Sequence, residues 1–121
     1  MTILETSKEF TPKEIYMMTQ DAAVKSVKDV EDNAVLMVSG FLRFEDTNAN
    51  GETSEMLSLL GADEDGVVTV WSCQSATFKR SFNDILTCCG VDYDLESQPL
   101  AIQKISGETK AGRPFVNCRW A

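Results

Sequence analysis

Val67-Val68-Thr69-Val70-Trp71-Ser72-Cys73-Gln74-Ser75-Ala76-Thr77-Phe78-Lys79-Arg80-Ser81-Phe82-Asn83-Asp84-Ile85-Leu86-Thr87-Cys88-Cys89-Gly90 changes its period part-way through. The first seven residues are rich in β-branched side chains, the composition of a strand. Beyond them Phe78, Phe82, Ile85, Leu86 and Cys89 fall at i, i+4, i+7, i+8 and i+11, which is one apolar stripe of a helix. Ser75 is a good N-cap, and Gly90 stands where a terminal glycine belongs. A strand therefore runs almost directly into an amphipathic helix.

Upstream, the period stays at two. Asp63-Glu64-Asp65-Gly66 reads as a hairpin turn behind a strand over about 53–62. Asn50-Gly51, at the end of Asp46–Gly51, supplies the positive φ that another hairpin requires. Before it, Leu36, Val38, Gly40, Leu42 and Phe44 share one strand face, with Val35, Met37, Ser39, Phe41, Arg43 and Glu45 on the other. Earlier still, Thr11, Pro12 and Glu14 form a capping box with proline at the first helical position, and Phe10 and Ile15 occupy hydrophobic-staple positions. A helical segment over about 12–30 follows, with a break near Thr19.

Downstream, a polar link from Asp92 to Pro99 leads to strands at about Leu100–Ser106 and Arg113–Trp120, joined by the turn Gly107–Gly112. The predicted order is helix-β-β-β-helix-β-β in one domain over residues 1–121. Three antiparallel strands, a helix and a hairpin is the order of the OB-fold. The predicted class is thus mainly β with helices (α+β), a five-stranded OB-like barrel. An α+β sandwich with two helices on one five-stranded sheet is the competing architecture.

With 121 residues, 43% of them hydrophobic, the chain is long enough to bury a core without disulfides or metals. No run of about 18 apolar residues occurs, so no membrane partner is expected. Met1-Thr2-Ile3-Leu4-Glu5 lacks the basic-then-apolar layout of a signal peptide, which predicts a cytoplasmic protein with reduced cysteines. The cysteines at 73, 88, 89 and 118 form no C-x-x-C pair, and there is no histidine, so neither a zinc site nor a Ser-His or Cys-His pair is expected. No cofactor and no enzymatic activity are predicted.

Net charge is −8, but it is unevenly distributed. Residues 1–75 carry fourteen acidic and five basic side chains, whereas residues 98–121 carry Lys104, Lys110, Arg113 and Arg119 against Glu108 alone. Local potential governs phosphate binding more than total charge does.

Asp46-x-Asn48-x-Asn50-Gly51 copies the first half of an EF-hand loop, but Leu57 occupies the position of the bidentate glutamate, and a turn is the expected structure. Glu45-Asp46 and Asp63-Glu64-Asp65 sit at strand ends and turns, where carboxylates serve turn geometry and solubility. More informative are aromatic and basic residues sharing strand faces, because a single-strand-binding surface needs flat rings for bases and cations for the backbone. Phe41, Arg43, Trp71, Phe115 and Arg119 supply both, and Lys104, Lys110 and Arg113 complete the candidate set. A barrel also needs large residues inside, so each of these aromatics is equally a core candidate.

Three segments carry a resemblance: Glu45–Asn48 with Gly51–Thr53, Ser75–Ile85, and Ile105–Phe115, together with the opening Lys13-Glu14-Ile15-Tyr16. Through them the chain resembles the small single-stranded DNA-binding proteins of phages infecting Gram-positive bacteria. The resemblance implies sequence-tolerant coating of single-stranded DNA during phage replication or recombination in the bacterial host cytoplasm. Replication or recombination proteins would be its partners, and homo-oligomerisation is left open. Many such proteins end in an acidic recruiting tail, whereas this chain ends on Phe115–Ala121 within the last predicted strand. A rival reading, from charge alone, is an acidic inhibitor or DNA mimic acting on a host protein.

Overall fold

The computed structural model describes residues 1–121. It is a mixed α+β structure, mostly strands, with two helices and a sheet curled into a half-barrel. The strands are β1 (Thr2–Thr6), β2 (Lys25–Ser26), β3 (Val35–Thr47), β4 (Thr53–Ala62), β5 (Val68–Cys73), β6 (Leu100–Glu108) and β7 (Pro114–Trp120). The helices are α1 (Pro12–Thr19) and α2 (Ala76–Cys89), with a 3₁₀ turn at Val27–Asp29. No helix is long and apolar enough to cross a membrane.

Seven strands replace the expected five. The sheet order is β2-β5-β4-β3-β6-β7, with β1 also paired to β3. One whole edge of β3 pairs with β4; the other is shared, Val35–Val38 bonding to β6 and Leu42–Glu45 to β1. The sheet curls where one neighbour leaves and the next arrives. β1 gave no sequence signal because all five of its residues are exposed, so no burial periodicity is imprinted on it. The helical segment stops at Thr19, not near residue 30. Asp21 Oδ1 accepts from the Ala23 N–H at 2.9 Å, offering the backbone a turn in place of another helical bond. The chain then runs parallel to β5 through Lys25 and Ser26. At the helix start the Thr11–Glu14 capping box is formed in both directions.

The decisive irregularity lies in β3. Val38 pairs with Gly61 but Gly40 pairs with Leu60, so Ser39 is an extra residue, a β-bulge. A bulge swaps the faces of everything after it. Leu36 and Val38 point into the curl, and beyond the bulge Phe41 does so, while Leu42 and Phe44 turn outward. The simple alternation expected for this strand therefore holds only piecewise. Gly61 permits the bulge, since a Cβ there would meet the Met37 carbonyl oxygen at 1.9 Å.

Two clusters result. Inside the curl, fifteen buried residues including Phe41, Trp71, Phe78, Phe82, Ile85 and Cys118 form the main core. Outside it, α1 lays Met18, together with Phe10, over Leu42, Phe44 and Val70. β5 and β7 are not hydrogen-bonded to each other, and α2, which follows β5 in the chain, packs on β7. Ser75, its N-cap, accepts from Phe78 N–H and donates to the Val116 carbonyl at 2.9 Å, while Ser81 donates to Asn117 Oδ1 at 2.6 Å.

Candidate nucleic-acid interface

The eight sequence-selected residues divide into buried and accessible groups. Phe41 is 6% exposed and meets Phe82 edge to face, with centroids 5.6 Å apart. Trp71 is 2% exposed, on the inner face of β5 beside Cys73. Neither ring is open to a nucleobase. The expectation failed for Phe41 because of the bulge, and for Trp71 because the inner face of β5 lies in the main core while α1 packs on its other side.

Lys104 is also withdrawn, being 4% exposed. Its position across from Cys118 aims it into the curl, where Nζ donates to the carbonyls of Lys28 (3.2 Å) and Val30 and pairs with Asp32 at 3.2 Å. All of its donors are used within the protein. Arg43 is half-buried beside α2 and ion-paired with Glu5 of β1, and its buried Nε has no partner. Its charge is largely engaged by β1.

Lys110, Arg113 and Arg119 remain exposed, and Phe115 is half-buried. All lie on the β6–β7 hairpin. Its turn is closed by Thr109 N–H to Arg113 O (2.9 Å), Gly112 N–H to Thr109 O (2.8 Å) and Arg113 N–H to Thr109 Oγ1 (3.1 Å). On the strands, Phe115 pairs with Gly107, Asn117 with Ile105, and Arg119 with Gln103, so these six side positions share one face. Phe115 rests on Gly107, where a Cβ would come within 2.6 Å of the ring. Covering a strand glycine with an aromatic fixes the ring against the sheet. Phe115 and Arg119 are four residues apart, about 13 Å along the strand.

Lys8, Arg43, Lys79 and Lys104 form ion pairs with carboxylates. The other seven cations form none; Lys13, Lys25, Lys28 and Arg80 are dispersed along the chain, whereas Lys110, Arg113 and Arg119 share one hairpin with a single acid, Glu108. Comparison with protein-family models, curated proteins and solved structures finds no match to this chain.

Sequence reasoning missed one accessible aromatic. Trp120 is 46% exposed although it shares the strand parity of buried Cys118. It pairs with core residue Ile102 at the end of the edge strand β7. Its place as the last strand residue was the available signal. The cysteines are free thiols, and burial pushes Cys73 up to about 11 and Cys118 up to about 12. Both therefore remain protonated near neutral pH, the opposite of an activated nucleophile.

Proposed function

We propose that the chain is a non-catalytic, sequence-tolerant single-stranded DNA-binding protein of OB type, using the outer face of its β6–β7 hairpin. The observation that carries this reading is the set of three exposed, unpaired cations, Lys110, Arg113 and Arg119, on the same hairpin as the half-exposed ring of Phe115. Cations follow a phosphate backbone, and a fixed ring gives a base a stacking surface. From β3 onward the strand order also supports the OB reading: three antiparallel strands, a helix, then a hairpin whose first strand returns to β3. The open β5–β7 side and the added β1 and β2 are departures from a closed five-stranded barrel.

The interface omits Phe41, Trp71 and Lys104, and gives Arg43 no direct contact. Its biological setting is DNA replication or recombination of a phage in its bacterial host. A fluorescence-anisotropy titration with labelled oligo-dT at two salt concentrations tests the reading. Binding should weaken at the higher salt as counterion release demands. A well-folded protein that leaves oligo-dT free at low salt would sink it.

A further inference from the structure

A groove of about 680 Å³ lies between the Val24–Glu31 segment, the start of β3 and the β4–β5 turn. Its apolar lining is half-buried Val24, Val30, Ala34 and Val35, with Leu36 and Trp71 buried behind them. Of six charged residues lining it, five are acids, Asp29, Glu31, Asp63, Glu64 and Asp65, and only Lys25 is basic. None of the five acids makes an ion pair. The walls are braced from behind: Lys104 holds the carbonyls of Lys28 and Val30, and Glu64 Oε1 accepts from Val35 N–H at 2.9 Å.

We infer that this groove is a docking site for a segment of a partner protein carrying an apolar side chain flanked by lysine or arginine. Half-buried Val24, Val30 and Val35 provide apolar area for the central side chain, and the carboxylates without ion pairs provide complementary charge around it. Charge complementarity of this kind governs partner choice and encounter rate more than raw affinity. Nucleic acid is the wrong occupant, since its phosphates would face five carboxylates. A metal ion is not favoured either, because no three of the acids bring their side chains close enough together to ligate one. The site is separate from the cationic hairpin and does not rest on the DNA-binding reading.

The test uses the whole chain and the fluorescein-labelled peptide GRKLFKRG at low salt. The parent should bind it. The triple variant Asp29→Asn, Glu31→Gln, Asp65→Asn, whose altered side chains hold no hydrogen bond in the fold, should bind about fivefold to tenfold more weakly. A peptide with serine in place of leucine and phenylalanine should also bind more weakly, and the triple variant Glu9→Gln, Glu52→Gln, Asp92→Asn, which removes the same charge at exposed positions outside the groove, should bind like the parent. Equal binding by the triple variant, equal binding of the serine peptide, or no binding by the folded parent overturns the proposal. So does carboxylate-dependent self-association without peptide binding, which would make a second copy the occupant.

Discussion

Lys104 Nζ lies 3.2 Å from Asp32 Oδ1, and Ser106 donates to the same carboxylate oxygen at 2.6 Å. The lysine comes from the inner face of β6, and the aspartate from the segment that enters β3. With the carbonyls of Lys28 and Val30 on its other donors, the ammonium fastens residues 28–32 to the sheet. A buried cation is tolerated here because its acceptors surround it; without them burial would be costly. The same contacts remove Lys104 from the DNA-facing set and fix one wall of the acidic groove.

Lys104→Met should therefore destabilise the fold by about 1–3 kcal/mol, the cost of leaving carbonyl groups without a donor. Urea unfolding measures this directly. Once corrected for the folded fraction, oligo-dT affinity should match the parent. A selective loss of DNA affinity with unchanged stability would return Lys104 to the interface.

Asp32 also gives the fold a pH dependence. Hydrogen bonds from Ser106 first, then Lys104, hold its carboxyl below the ordinary value of 3.8. A depressed folded value means that its contribution is present above the unfolded value and is lost as pH falls through the folded one. Asp32→Asn should lower the melting temperature near neutral pH, and the gap to the parent should narrow in the acid range below pH 3.8. A gap of constant size down to that range would show that the carboxylate is not what Lys104 and Ser106 stabilise.

Much of the architecture was legible because its signals are local. The Ser75 cap, the apolar stripe from Phe78 to Cys89 and Gly90 at φ +91° mark α2 within a residue of its ends. Asn48 likewise builds its turn as expected, its Oδ1 accepting from the N–H groups of Asn50 and Glu52. What escaped was set by tertiary context. β1 is wholly exposed, and β2 is two residues long. The Ser39 bulge depends on how Gly61 meets Met37, so the burial of Phe41 could not be read from parity. In the site, exposed cations at a turn were legible, whereas a lysine folded inward onto carbonyls 70 or more residues away in sequence was not.

Gly61 is the position on which the bulge turns. Gly61→Ala places a methyl group against backbone at Met37, which cannot rotate away as a side chain could. Overpacking commonly costs about 1–3 kcal/mol, and this site should reach or exceed the upper end. Gly51→Ala, at φ +79° in an open turn with nothing within 4 Å of the added Cβ, should cost less. Thermal melts of the two variants decide the ranking, and a Gly61→Ala protein as stable as the parent would remove the bulge as the cause of the face swap.

The hairpin residues should divide into two thermodynamic classes if they bind DNA as proposed. Arg113→Gln or Arg119→Gln should weaken oligo-dT binding similarly for all sequences and flatten the salt slope by about 0.7 for each single-strand phosphate left without its cation. Phe115→Ala should instead cost about 1–3 kcal/mol of affinity with little change in slope, because stacking releases no counterions. That substitution also uncovers Gly107, so Phe115→Leu serves as the companion: it retains apolar cover over the glycine but gives up the flat ring. Loss of affinity in both Phe115 variants, with melting temperature retained in the leucine variant, assigns the ring to stacking. If Phe115→Leu binds like the parent while the arginine variants flatten the slope, the hairpin is an electrostatic track alone. The exposed Trp120 at the end of β7 is then the next ring to test.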